Sequence, residues 1–218
     1  MLKVFWQAED APRGAKAIGQ CGGQPHLNLG GKSPACRVCE APMPYFFTVD
    51  VGEVLSGKLL SLFYCISCTG STVPEFPQTP VSSPILADEA QALQKDYRLY
   101  LHTDEHPQGN AFSPVVEKFI YGKSSRAAGY QFSKIGGTPT KYWGKDDNNI
   151  HKLLFQIREY DYVRFHLQEG SPMQQAYKLF DGDPELREEN DYMLIAGIPI
   201  YIFATHDEKA AFLVTGRF

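Results

Sequence analysis

The chain predicts an α+β fold, predominantly antiparallel β with a few short helices. Three observations carry that expectation. Short apolar or alternating runs outnumber helix-like segments, Gly and Pro punctuate them, and they do not alternate with helices as βαβ units would. At 218 residues the chain can bury a sizeable core, and 43% apolar with 21% charged residues is an ordinary globular balance.

The runs Pro44–Asp50 (PYFFTVD) and Lys58–Tyr64 (KLLSLFY) read as strands. Residues 70–84, rich in Pro, Ser and Thr, read as an extended loop. Residues 85–96 (ILADEAQALQKD) predict an amphipathic helix capped by Ser83, with Pro84 at its start. Tyr97–Leu101 alternates and predicts a strand, and 122–130 reads as a soft connection. Lys152–Arg158, Ile198–Ala204 and the closing AAFLVTGRF are further strands. A second helix is expected near Pro172–Phe180, followed by a loop or solvated face over 181–192 (DGDPELREENDY).

An internal duplication organises this order. Cys21-Gly-Gly-Gln-Pro25 corresponds to Ile135-Gly-Gly-Thr-Pro139, Pro44–Asp50 to Lys152–Arg158, and Lys58–Tyr64 to Ile198–Ala204. Glycine permits positive φ and Pro fixes the exit into extended chain, so each half repeats turn, strand, loop, strand. A single domain over residues 1–218 is expected, built of two pseudo-repeats at about 16–121 and 122–218.

A net charge of -4 argues against a general nucleic-acid binder, which needs a basic face for phosphates. No apolar run approaches the ~20 residues of a membrane helix. The opening MLKVFWQAEDAPRG meets acidic residues by Glu9 and lacks a secretory apolar stretch, so the cytoplasm is the default compartment.

Four of the five cysteines fall as Cys36-x2-Cys39 and Cys65-x2-Cys68, separated by 25 residues, and Cys21 stands alone. Two such knuckles, each presenting two thiolates on a tight turn, can close a tetrahedron around Zn2+. Four protein ligands leave no position for water, so such a site is structural. Two reduced pairs without metal remain an alternative. A redox dithiol is a weaker one, because neither pair opens a helix in a βαβ context. Cys21 reads as a small buried hydrophobe.

Other strings fail on their surroundings. Gly31-Lys32-Ser33 ends like a phosphate loop, but His26 occupies the place of the required first glycine. His102-Thr-Asp-Glu-His106 matches H-x-x-E-H, yet a strand runs into His102, and Pro107 follows His106, so the helical face is lacking. Asp181-Gly-Asp-Pro-Glu begins like a calcium loop but has Leu186 where glycine belongs. His151, His166 and His206 are lone residues near strands. No acid, base and nucleophile assemble, so a non-enzymatic protein is expected.

The repeated Gly-Gly-x-Pro with Leu153-Leu-Phe-Gln-Ile157 resembles the YwqG-like family of bacteria. The first half, from Gly22-Gly-Gln-Pro25 through the two knuckles, looks like the C-terminal region of programmed-cell-death-protein-2-like proteins. Those are eukaryotic relatives of similar layout that bind a ribosomal protein. The second half departs from the pattern: Thr140, not Trp, follows its Gly-Gly-x-Pro, and Trp143 comes three residues on.

That bacterial resemblance implies an immunity protein that neutralises a toxin delivered between bacteria, as by type VI secretion. The implied partner is one toxin molecule, a nuclease whose substrate surface is occluded, with no direct contact to nucleic acid or membrane. Acidic loops would suit a basic nuclease face. The candidate contacts are Asp104 and Glu105, with Asp181, Asp183, Glu185, Glu188, Glu189 and Asp191. The alternative is a chaperone-like binder of a ribosomal or other basic protein.

Overall fold

The apolar runs become strands. In this computed structural model, residues 1–6, 11–27, 29–30, 32–65, 83–103, 113, 117–126, 133–139, 150–158, 164–166, 191–193 and 199–215 are described. Their strands are β1 (Leu2–Phe5), β2 (Lys16–Cys21), β3 (Tyr45–Asp50), β4 (Leu59–Tyr64), β5 (Tyr97–His102), β6 (Lys118–Ser124), β7 (Lys134–Ile135), β8 (Leu153–Ile157), β9 (Arg164–His166), β10 (Asp191–Met193), β11 (Ile200–Ala204) and β12 (Ala211–Thr215). One helix, α1 (Ala87–Leu93), lies before β5. The expected predominance of antiparallel sheet holds. The helical share is smaller than the α+β expectation, a single seven-residue helix among the described residues.

Ten strands form one sheet in the order β12-β11-β8-β7-β1-β6-β2-β3-β4-β5, while β9 and β10 pair separately. The edge strands β5 and β12 approach each other, so the sheet is nearly closed. One core cluster unites Tyr97 and Leu99 of β5, Ala211 and Leu213 of β12, and Val4 and Ile120 of the central strands. It fills the concave side. A second cluster beneath α1 packs Ile85 and Ala90 on Leu153, Tyr201, Phe203 and Phe212. The strands are thus covered on both faces, which is why they read as continuous apolar runs.

Corresponding backbone features recur on either side of the central β1–β6 pair. Gly22 and Gly23 follow β2 at φ 67 and 67, and Gly136 and Gly137 follow β7 at φ 69 and 79. Gly22 N–H donates to Phe46 O at 2.8 Å, and Gly136 N–H to Leu154 O at 3.1 Å. The register of β3 on β4 shifts at Phe46, and that of β8 on β11 shifts at Leu154. Each bulge turns two successive side chains inward, Phe46 with Phe47 and Leu154 with Phe155, against the usual alternation. The rings of Phe47 and Phe155 meet edge-on at 5.8 Å, and Trp6 touches both.

Three expectations about elements differ from the structure, the first being the soft connection over 122–130, whose opening residues Gly122–Ser124 instead close β6 and pair with β1. The helix does not begin at residue 85, and Ser83 does not cap it. Ile85 lies outside the helix instead: its N–H donates to His151 Nε2 at 3.2 Å and its carbonyl accepts His206 N–H at 2.9 Å, and Leu86 after it is extended (φ -92, ψ 168). The helix then starts at Ala87, where Glu89 Oε2 accepts Leu86 N–H at 2.9 Å. It ends at Leu93, because Gln94 (φ -82, ψ 83) turns out of the helical region. The third concerns Asp191 and Tyr192, expected in a loop or on a solvated face. They belong to β10, with Tyr192 opposite Phe165 in the ladder. The helix expected near Pro172–Phe180 falls outside the described residues.

Gln94 closes the seam that the sheet leaves open. Its buried carboxamide donates to Ala211 O at 2.9 Å on one edge strand and accepts Leu99 N–H at 2.8 Å on the other. Two edge groups are thereby satisfied without a direct ladder.

Candidate metal centre

The first knuckle is a short hairpin whose shape follows from its backbone. Ala35 and Pro42 form an isolated antiparallel bridge. Inside it, Cys36 N–H donates to Ala41 O at 2.9 Å and Glu40 N–H to Cys36 O at 3.0 Å. Closing so tight a turn requires positive φ at Glu40 (61°), uncommon for a side-chain-bearing residue. Val38 N–H donates to Cys36 Sγ, 3.4 Å away.

The other side of the site comes from the end of β4. Cys65 leaves the strand with its N–H on Asp96 O at 2.7 Å. Cys39 Sγ lies 3.5 Å from Cys65 Sγ, and the sulfurs of Cys36, Cys39 and Cys65 all fall within 4.8 Å of one another. Metal–sulfur bonds of ~2.3 Å in a tetrahedron put sulfurs about 3.8 Å apart, so this spacing suits an ion. A disulfide needs about 2.05 Å, far shorter than the Cys39–Cys65 separation. Among the described residues these three cysteines are the one Cys, His, Asp or Glu group close enough to share an ion. Cys36 and Cys65 are buried and Cys39 is exposed, against an apolar bed of Leu27, Met43, Tyr45 and Phe63. Cys68 lies outside the described residues.

Two arginines fasten the knuckle to the rest of the molecule, a role sequence reading missed. Arg37, inside the first C-x2-C, places Nη1 2.6 Å from Gln91 O and its backbone N–H 2.9 Å from Lys95 O. Arg98 donates from Nη1 to the carbonyls of Gln94, Lys95 and Tyr97 and from Nη2 to Ala35 O. Cations at the carbonyl end of α1 satisfy groups a helix leaves open. Burial lowers the Arg98 pKa, and nearby Arg37 lowers it further, while Tyr100 and the Cys36 sulfur act in the opposite sense. Burial raises Asp96 above the usual carboxylate range. Arginine within the C-x2-C was the available signal, but its partners sit more than fifty positions away.

The remaining candidates separate from this site. Cys21, in β2, donates its thiol to Lys118 O at 3.5 Å and is pushed up to about 11 by burial, a small hydrophobe as expected. His102 closes the extended β5, as its alternating run implied, and its Nε2 lies 2.8 Å from Ser61 Oγ. Ser61 continues through Thr48 to Tyr45 in a buried hydroxyl chain at 2.7 Å per step. His106 lies outside the described residues. His151 packs edge-on to Phe212 at 4.9 Å beneath α1. Of the acidic candidates only Asp191 is described, at the start of β10; Asp104, Glu105, Asp181, Asp183, Glu185, Glu188 and Glu189 lie outside. No helix among the described residues is long and apolar enough to cross a membrane.

Comparison with protein-family models, with curated proteins and with solved structures finds no match to this chain.

Proposed function

We propose that the chain is a metal-stiffened, non-catalytic binding protein, an immunity protein that occludes the substrate surface of one interbacterial nuclease toxin. The observation that carries the non-catalytic, architectural part is the convergence of Cys36, Cys39 and Cys65, the first two from one tight hairpin and the third from the end of β4. In this reading Cys68 is the fourth ligand and the ion is Zn2+, which thiolate sets favour. A closed set of four thiolates gives an ion no vacancy for water, so it holds chain segments together. The resemblance to YwqG-like proteins supplies the partner class. The acidic residues 181–192 supply charge complementary to a nuclease face.

The same reading treats the two sides of the sheet as diverged half-repeats. The paired glycines, the paired bulges at Phe46 and Leu154 and the Phe47–Phe155 contact support it. The boundary at 121/122 cuts through β6, and β1, which precedes the first half, pairs with both β6 and β7 and so joins the two sides.

Co-expression with the product of a neighbouring toxin gene tests the partner. Restored growth and a one-to-one complex on a sizing column are expected; failure of both sinks the immunity reading. Co-purification with a ribosomal protein would favour the chaperone-like alternative.

A further inference from the structure

Beside the metal knuckle, where the seam between β5 and β12 widens past Gln94, lies a cavity of about 260 Å³. Arg37, Arg98 and Lys209 line it together with Gln91, Tyr100 and the backbone around Leu99–Leu101. Among the described residues its lining holds three cations and no carboxylate, in a chain of net charge -4. Such local concentration of one sign in a concave site focuses the field on anions.

The cations are also held in place. Carbonyls of Gln91, Gln94, Lys95, Tyr97 and Ala35 fix the two guanidinium groups, yet each guanidinium has five N–H donors and keeps some unspent. Arg37 and Arg98 repel each other, and no carboxylate among the described residues lines the cavity to relieve them. Lys209, on the turn between β11 and β12, has Asp207 as its carboxylate neighbour at 3.8 Å and remains 78% exposed. Donors fixed before a ligand arrives cost little reorganisation on binding.

We propose that this cleft binds a small dianion bearing phosphate or carboxylate oxygens. The oxygens sit between the guanidinium groups of Arg37 and Arg98, and the Lys209 ammonium closes the open side. The volume admits a compact molecule, below the ~300–1,000 Å³ of drug-sized sites. This assignment does not depend on the identity of the protein partner.

The test is an NMR titration of the full chain as purified, with inorganic phosphate and with succinate in separate arms. Saturable shifts at Arg37, Arg98, Leu99–Leu101 and Lys209–Ala210 are expected, with a Kd of about 1 mM or tighter for the preferred anion. Lys209→Glu, on an exposed turn, should weaken that binding about tenfold or more while the rest of the spectrum is unchanged. Either order of preference supports the site, phosphate first marking a phosphoryl ligand and succinate first a dicarboxylate. If neither anion gives saturable shifts at these residues, or Lys209→Glu leaves them unaltered, the cations only cap α1 and the proposal falls.

Discussion

At the scale of single residues, side chains that bridge segments distant in sequence matter most. Gln94 serves β5 and β12 with one carboxamide, so its removal strands Leu99 N–H and Ala211 O inside the seam. Each orphaned buried group costs ~1–3 kcal/mol, and Gln94→Ala should lose about 2–4 kcal/mol in urea unfolding. Gln94→Glu would set a buried carboxylate against the Ala211 carbonyl oxygen, acceptor facing acceptor, and should cost at least as much as Gln94→Ala near pH 7. Cys36→Ser and Cys65→Ser should abolish metal retention and lower the melting temperature, because metal binding is coupled to folding. Elemental analysis of freshly purified, reduced protein should give about one zinc per chain in the wild type. Zinc-free folded protein would rule the metal out. Cys21 behaves differently. With its thiol pushed up to about 11 by burial, alkylation at about pH 8 should leave it unlabelled and begin only near its raised pKa, read by mass spectrometry.

At the scale of elements, strand pairing sets which side chains can exist at all. A Cβ at Gly19 in β2 would stand 2.1 Å from Thr48 O and 2.8 Å from the Cα of Val49. Both obstacles are backbone, and neither can move without breaking the β2–β3 ladder. Gly19→Ala should therefore cost about 3 kcal/mol or more, seen as a left-shifted denaturation curve or loss of soluble protein. Strand positions and type were legible from the runs PYFFTVD, KLLSLFY and YRLYL because branched and aromatic residues cluster there. The helix limits were not. Ile85 is held outside the helix by His151 and His206, groups 66 and 121 positions away, which no local propensity encodes.

At the scale of the whole molecule, Trp6 is the joint. It packs on Phe47 at 5.8 Å and on Phe155 at 5.6 Å, uniting the strands on both sides of the β1–β6 pair. Trp6→Ala should cost about 3–5 kcal/mol. If the sheet is one cooperative unit, circular dichroism and near-ultraviolet signals should still fall in a single transition; separate transitions would mean that the halves unfold alone.

The sequence by itself determined the strands of the strongly apolar runs, β3, β4, β5, β8, β11 and β12, together with the Gly-Gly turns and the pairing of Cys36 with Cys39, because each depends on neighbours within a few positions. The meeting of Cys65 with the first knuckle is already expected from the two C-x2-C pairs. The tertiary structure alone decided that β1 and β6 pair at the centre of the sheet and that Gln94 bridges the open edges. Those outcomes depend on backbone groups finding partners across the chain, and burial enforces that pairing without leaving a local pattern to read.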